Sequence, residues 1–405
     1  MSKWLLSAPT VFGLESLAAD EIRALGYQID KVEDGRVAFW GDEAAICRAN
    51  LWLRTAERVQ VKLGDFGATS FTELFDSTKA LPWPDLLPAD AVFPVQGHCL
   101  SSKLASVPDC QAIIKKAAVE SMKNKWKTGW FSESGALYRI NFNIIRDRVT
   151  IYVDTSGDGL HKRGYREEAT ITPLKETLAA ALVKLSGWRP GKALWDPFCG
   201  SGTIAIEAAM IAANRAPGLT RGFAAEGWDM PCDGRVGGAF RKLWDEERAK
   251  AMDKYNNSYD SLISGQKPIE IAGSDISRHC VRTAVQNAKT AGVSKLVRFF
   301  QLDAKDMGIK HSKLHELGLR FPEKGCVVSN PPYGERDDNR AGALDVCREW
   351  GPALAGFRHW GWCVISALDD FERGIGRTAY KRRKLNNGKI KCRAYLYKPE
   401  RVIVD

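Results

Sequence analysis

Ala193-Leu194-Trp195-Asp196-Pro197-Phe198-Cys199-Gly200-Ser201-Gly202-Thr203 is the stretch that decides the fold. A short apolar run feeds a turn containing two glycines, and the turn opens into the apolar segment Ile204 to Ala213. Strand, glycine turn and helix in that order are how α/β proteins bring backbone N–H groups up to a nucleotide-like ligand. Two commoner readings of such a turn fail on the residues. No Gly-Lys-Ser/Thr follows, as a P-loop requires, and the spacing is not the GxGxxG of a dinucleotide site. Asp196 precedes the turn instead, which suits a ligand carrying a cationic amino group better than a pyrophosphate. Two further carboxylates stand where the next strands should end. Asp275 follows Pro268-Ile269-Glu270-Ile271-Ala272-Gly273-Ser274, and Asp303 follows Val297-Arg298-Phe299-Phe300-Gln301-Leu302. Carboxylates at strand ends accept hydrogen bonds from ribose hydroxyls or an adenine amine. Each is also an ordinary helix cap, Asp275 especially, since the helical run Ser277 to Ala291 comes next.

A second motif names a target for the chemistry. Asn330-Pro331-Pro332-Tyr333 follows the apolar run Cys326-Val327-Val328-Ser329, which reads as the end of a buried strand, with Gly334 opening the loop beyond. An exocyclic amine on a nucleobase is a poor nucleophile because its lone pair is delocalised into the ring. The Asn330 side-chain oxygen and a carbonyl of the stiff Pro-Pro segment can each accept one of its N–H bonds, while Tyr333 offers a ring for stacking. No base of unusual pKa is needed if the methyl donor is as activated as a sulfonium. Read without its neighbours, the tetrapeptide is equally a turn with a surface aromatic.

Asp-Pro-Phe-Cys-Gly-Ser-Gly-Thr, Gly-Ser-Asp-Ile, Leu-Asp-Ala and Asn-Pro-Pro-Tyr-Gly-Glu-Arg, in that order, make the chain resemble the S-adenosylmethionine-dependent RNA methyltransferases that carry a THUMP domain. Within them it is similar to the bacterial large-subunit rRNA guanine-N2 enzymes. Lys162-Arg163-Gly164-Tyr165-Arg166 and Thr172 to Ala181 extend the resemblance over nearly the whole chain. It implies that S-adenosyl-L-methionine is held by Asp196, Pro197, Phe198, Cys199, Gly200, Ser201, Gly202 and Thr203 at its methionine part. Asp275 with Ile276 would hold the ribose, and Asp303 with Ala304 the adenine. Asn330, Pro331, Pro332 and Tyr333 would hold the acceptor. In a generic Rossmann unit the acidic residue lies about 20 positions past the glycines. Asp275 lies much further, behind an insertion running roughly from Asn214 to Lys267 that the named branch also carries. Some relatives have a second catalytic domain after the first; none is expected here. The same tetrapeptide serves adenine N6, tRNA guanine N2 and protein glutamine amides in other enzymes, and a non-catalytic RNA-binding assembly factor is the rival outside enzymes.

Composition narrows the partners. With 405 residues the chain should form two or three domains, and 44% apolar with 27% charged residues is ordinary for a globular protein. Fifty-nine Lys and Arg against 49 Asp and Glu give a net charge of +10, as expected of a protein that meets polyanions. The ten cysteines form no CxxC pair, so no metal is expected, and reduced thiols in a cytoplasmic protein are the natural reading. With no apolar run of roughly 18 residues and too short a patch near Met1 for a signal peptide, neither membrane nor export is expected.

The expected fold is α/β: a doubly wound, Rossmann-like methyltransferase sheet with an antiparallel C-terminal hairpin, preceded by an α+β ferredoxin-like and THUMP region. A ferredoxin-like unit is expected over 1–66, with helices at Leu14 to Leu25 and Glu43 to Arg54 around a hairpin at Asp34-Gly35. A THUMP-like unit follows over 67–155, with a strand at Ala91 to Leu100 and a helix at Asp109 to Lys127. A linker at 156–170 leads to the catalytic domain, 171–405, whose first helix Thr172 should cap with Pro173 at its first position. Asn387-Gly388 predicts the closing hairpin. Three basic stretches are candidates for RNA, namely Lys115, Lys123 and Lys125 on the N-terminal helix; Lys162, Arg163 and Arg166 in the linker; and Lys381, Arg382, Arg383 and Lys384 in the hairpin. The partner expected is 23S rRNA or a large-subunit assembly intermediate.

Overall fold

Strand, helix, two strands, helix, strand is the order in which the chain begins, and the computed structural model shows how it closes. It describes residues 4–166, 174–230, 238–265, 271–308, 322, 324–334 and 340–400. The first strands are β1 (Trp4–Pro9), β2 (Gln28–Glu33), β3 (Arg36–Gly41) and β4 (Gln60–Gly67), with helices α1 (Glu15–Ala24) and α2 (Glu43–Trp52). They lie in the order β2-β3-β1-β4, all antiparallel, which is the ferredoxin-like arrangement. Asp42 caps α2, its side chain accepting from the Ala45 N–H at 2.9 Å.

This sheet does not stop at β4. After α3 (Phe71–Lys79) and the short α4 (Trp83–Leu86) come β5 (Val95–Leu100), α5 (Val107–Trp126), β6 (Arg139–Ile145) and β7 (Arg148–Asp154). β4 pairs with β7 from Gln60↔Asp154 to Gly67↔Arg148, so the ferredoxin-like and THUMP-like parts share one seven-stranded sheet among the described residues. Sequence patterns that suggested two small units therefore belong to one continuous layer.

Past β7 the chain runs through α6 (Glu176–Leu185), β8 (Ala193–Asp196), α7 (Thr203–Ala212), α8 (Ala239–Ser264), β9 (Ile271–Asp275), α9 (Arg278–Thr290), β10 (Arg298–Gln301), β11 (Gly325–Ser329), α10 (Arg340–Ala355), β12 (Gly361–Ser366), α11 (Phe371–Ile375), β13 (Lys381–Asn387) and β14 (Ile390–Tyr397), and β8 to β14 form the second sheet. Its order is β10-β9-β8-β11-β12-β14-β13, parallel up to β12 and antiparallel through the closing hairpin. Buried on both faces, β8, β11 and β12 read as unbroken apolar runs. Gly388 takes φ +61 in the hairpin turn, as Asn-Gly requires. Thr172 and Pro173 lie outside the described residues, as do Pro268 to Glu270, Glu335 and Arg336; α6 begins at Glu176 with Lys175 at its N-cap.

Two compact units result, and they are interleaved in sequence. One comprises 1–10, 18–160 and 221–250; the other comprises 11–17, 161–220 and 251–405. The middle of the insertion therefore belongs with the first unit. Trp228 stacks on Tyr138 at 4.4 Å and donates from Nε1 to the Leu137 carbonyl, and Phe223 stacks on Trp244. Glu247, buried, forms a two-pronged ion pair with Arg48 of α2. Conversely, Leu14 is packed into the core of the second unit.

The linker stretch proves to be structural in part. Arg163 is 2% exposed and pairs with the fully buried Glu207 of α7 at 3.4 Å, and the Tyr165 hydroxyl donates to the same carboxylate. Arg163 is thus no RNA contact, because its guanidinium is inside the protein. Removing the anion of a buried pair leaves a charge that water cannot reach. Glu207→Ala should accordingly destabilise the protein by about 3–5 kcal/mol, read as a lowered urea or thermal midpoint; a midpoint equal to the parent's would mean that Arg163 swings out to solvent.

Candidate active site

Four parallel strands stand side by side in the order β10, β9, β8, β11, and at or just beyond their C-terminal ends come Asp303, Asp275, Asp196 and Asn330. The chain runs outward from β8 through β9 to β10, then returns to the other side of β8 as β11. Strand order reverses there, and loops on either side of such a reversal diverge to leave a crevice. Asp196, the last residue of β8, and Asn330, just after β11, flank it.

The glycine turn is tied to the end of β9. Cys199 N–H donates to the Ser274 carbonyl at 2.9 Å, and Gly200 N–H donates to Asp275 Oδ2 at 3.0 Å. Gly200 and Gly202 both have positive φ, +50 and +85. At Gly202 a Cβ would also lie 2.8 Å from the Phe299 ring and 2.9 Å from the Ala284 methyl, so only glycine fits. Asp275 is not the cap of α9; that is Ser277, whose side chain accepts from Cys280 N–H. The Asp275 carboxylate instead accepts from Ser277 N–H and Gly200 N–H, fixing the turn while keeping lone pairs for a ligand. Ile276 beside it is 66% exposed, an apolar surface open for a flat ring.

Asp196 is the unusual group. It is 1% exposed, and among the described residues no cation pairs with it. Burial pushes its carboxyl up to about 7; the Ser329 hydroxyl and the Phe198 N–H, both donating to Oδ1, pull the other way, and the nearby Asp275 charge adds to the rise. Ser329 escaped the sequence reading. Its position at the end of an apolar run was visible, but its 2.7 Å bond to Asp196 spans neighbouring strands far apart in sequence. Cys199 is buried with its thiol raised well above the usual range, chiefly by desolvation, which makes it packing and not a nucleophile.

Asn330 offers the complementary feature. Its Oδ1 is buried and has no hydrogen-bond partner among the described residues. Such an acceptor costs stability unless a donor arrives. Pro331 is buried and Pro332 exposed. Tyr333 departs from expectation. It is 5% exposed, packed in the core, with its hydroxyl accepting from Asn387 Nδ2 at 3.0 Å, so its ring is not an open stacking platform. The reason is the C-terminal hairpin, which covers it. Asp303 accepts from the Lys305 N–H at the start of a single 3-10 turn that includes Ala304, and its carboxylate pairs with Lys305 at 3.2 Å.

The basic candidates separate into classes. Lys115, Lys123 and Lys125 each pair with a carboxylate, Glu133, Glu120 and Asp85. Arg166 donates to the Thr203 hydroxyl at 2.8 Å and to the Leu174 carbonyl, bracing the start of α7, whereas Lys162 is exposed. In the hairpin Arg382 pairs with Glu372 and Arg383 donates to the Gly13 carbonyl, while Lys381 and Lys384 have no carboxylate partner among the described residues.

Comparison with known proteins identifies the domains. Residues 163–395 match the RMKL-like methyltransferase domain, residues 6–60 the RlmL ferredoxin-like domain and residues 68–154 the THUMP domain. The chain is 43% identical to the "Putative RNA methyltransferase YpsC" of Bacillus subtilis (strain 168) over 98% of this chain and 96% of that one. Among solved structures it is similar to "SMU.472, a putative methyltransferase complexed with SAH", with TM-score 0.87, 34% identity, and coverage of 99% and 100% of the two chains. It is also similar to a "predicted N6-adenine-specific DNA methylase from Listeria monocytogenes", with TM-score 0.86, 43% identity, and coverage of 99% and 97%. With a buried carboxylate and an unpartnered amide oxygen on either side of the strand reversal, and with these matches along its length, the chain belongs to the RMKL-like methyltransferase family, joined to an RlmL ferredoxin-like domain and a THUMP domain.

Proposed function

We propose that this protein methylates N2 of a guanine in 23S rRNA, acting on the RNA or on a large-subunit assembly intermediate. The coarser statement stands on the family: this is an S-adenosyl-L-methionine-dependent RNA methyltransferase. The residues fit that cofactor, which supplies a methyl group activated on a sulfonium. A buried carboxylate without a cation suits the positively charged methionine part, and Asp275 and Ile276 offer a ribose acceptor and an apolar face. The orphaned Asn330 Oδ1 carries the choice of an amine as acceptor.

Asn330 accepts one N–H of the target amine and a Pro331 or Pro332 carbonyl accepts the other, turning the nitrogen lone pair out of conjugation. So held, the lone pair would face the methyl group that the cofactor would supply, with the sulfonium sulfur keeping the C–S electron pair and the proton lost from nitrogen passing to solvent. Nothing in this step needs a strong base. What the chain contributes is the position of the amine. The target base is flipped out of its stack to reach the crevice. Guanine is favoured over adenine by the resemblance of Lys162 to Arg166 and Thr172 to Ala181 to the guanine-N2 branch, and RNA over DNA by the THUMP domain. Mass spectrometry of rRNA nucleosides from cells with and without the protein tests this directly: loss of N2-methylguanosine from 23S rRNA is expected, and loss of N6-methyladenosine would transfer the assignment to adenine.

Two outcomes follow from the site. Asn330→Ala should slow methyl transfer in single-turnover reactions on the order of 10²–10³-fold, with Asn330→Asp retaining more activity because it keeps an acceptor oxygen. Since the variant also deletes an unsatisfied buried acceptor, its unfolding midpoint should be no lower than the parent's. A wild-type rate for the chemical step in Asn330→Ala would remove the amide from the mechanism.

Affinity for S-adenosylhomocysteine should depend on pH through Asp196. In the free protein its carboxyl titrates near 7. The cationic amino group is held only by the ionised form, so affinity should fall about tenfold per pH unit below 7 and level off above it. In the unliganded protein the sign is opposite. Because the folded-state value is raised, the proton is held more tightly by the native state, and stability should decline as pH rises from about 4 towards 7. Calorimetric titration from pH 5.5 to 8.5 measures the first effect, and Asp196→Asn should abolish it; an unchanged pH profile in that variant would place the titrating group elsewhere.

A further inference from the structure

Beside the crevice lies a groove of about 570 Å³ at the C-terminal end of β12. β12 is the neighbour of β11 in the sheet, with Ser329 opposite Val364, so Ser366 on the groove wall is two residues past the level of the strand that delivers Asn330. The hairpin forms the other wall, and its Asn387 is the residue that holds the Tyr333 hydroxyl. The groove thus opens next to the acceptor motif, on the side away from the carboxylates of β8, β9 and β10.

Its lining is cationic and carries one exposed aromatic. Arg340, Lys384, Lys391 and Arg393 face it, and Phe12 is 50% exposed there. The acid in the lining, Asp369, is already paired with Arg393 at 2.9 Å. Among the described residues no carboxylate pairs with Lys384, Lys391 or Arg340.

Phe12 is there by construction. It belongs to the short segment 11–17 that folds with the catalytic unit although the residues on both sides fold with the other. Gly13, at φ +90, lies so close to the hairpin that a Cβ would stand 2.7 Å from the Lys384 carbonyl oxygen. Arg383 donates to the Gly13 carbonyl at 2.7 Å, Glu15 accepts from the Gly13 N–H, and Leu14 is fully buried in the catalytic core. The Arg383 bond to Gly13 and the buried Leu14 hold the segment down. Phe12 itself is left half in solvent, where an apolar ring gains nothing.

An aromatic ring rigidly presented among unpaired lysines, next to a site for a flipped base, has the composition of a single-strand nucleic-acid platform. We propose that Phe12 and the groove hold the RNA nucleotide adjoining the target, with Phe12 stacked on its base and Lys384 and Lys391 on its phosphates. The proposal rests on the reading of this protein as an RNA methyltransferase and adds to it a determinant of substrate binding supplied by the N-terminal segment. It also gives the acceptor side the stacking surface that the buried Tyr333 does not provide.

The test uses full-length protein, with 23S rRNA fragments as substrate and single-stranded RNA oligonucleotides for binding by fluorescence anisotropy. Phe12→Ala should raise KM for RNA and weaken oligonucleotide binding about tenfold or more, with S-adenosylhomocysteine affinity unchanged, and Phe12→Trp should restore both. Lys384→Ala with Lys391→Ala should flatten the dependence of log affinity on log salt by about 0.7 for each phosphate that is no longer neutralised. If the parent methylates RNA and Phe12→Ala does so with the same KM and affinity, the groove is not an RNA site. If Phe12→Ala instead alters only the sedimentation of the protein, the exposed ring serves contact between copies and the proposal falls. A parent enzyme that methylates no RNA would overturn the broader reading, and is distinguishable because it is seen before any substitution is made.

Discussion

The uncompensated carboxylate of Asp196 is the constraint around which the catalytic unit is organised. A charge so completely buried costs folding free energy, and the protein relieves only part of that cost, through the Ser329 hydroxyl and the Phe198 N–H. What remains is a group half neutral near pH 7 that gains when a cation enters. Its neighbours make sense in this light. Asp275 fixes the Gly200 N–H of the turn, and the strand order reverses beside β8. Asn330, likewise, carries a buried acceptor that lacks a donor among the described residues.

Two short exchanges of chain alter the division of labour. The unit bearing the ferredoxin-like and THUMP parts takes residues 221–250 out of the catalytic sequence, and the catalytic unit takes residues 11–17 from near the N-terminus. Neither exchange is incidental. Trp228, Phe240 and Trp244 are buried in the core of the first unit, and Leu14 is buried in that of the second. A protein cut in the linker would expose apolar surface on both pieces, and its catalytic piece would lack Phe12. Loss of activity in such a piece would reflect the missing segment 11–17 as well as the missing THUMP part.

The ion pairs qualify what a basic sequence means. Lys115, Lys123 and Lys125 looked like a phosphate-binding stripe, yet each leans on a carboxylate. Such half-exposed pairs are worth about 0–1 kcal/mol, so a phosphate can replace the partner at little cost. Arg163 is different in kind, since the anion opposite it is buried in α7 and cannot be exchanged. Position in the fold, and not the residue type, separates the two cases.

Much of the architecture was legible in the chain itself. The order of apolar runs, the Asn-Gly turn and the glycines after Asp196 depend on local backbone preferences and on the period of burial, which act within a few residues of one another. The carboxylates at strand ends were legible for the same reason, because a strand and its following loop are contiguous. Only the tertiary structure could decide what meets across the sheet. It made Ser329 the partner of Asp196, made Ser277 the cap and Asp275 the clasp of the turn, and buried Tyr333 under Asn387. It also carried Phe12 to the hairpin, roughly the length of the chain away in sequence. These pairings are set by strand order and by which surfaces find enough apolar area to bury. Both are properties of the whole packed chain and leave no mark in the spacing of neighbouring residues.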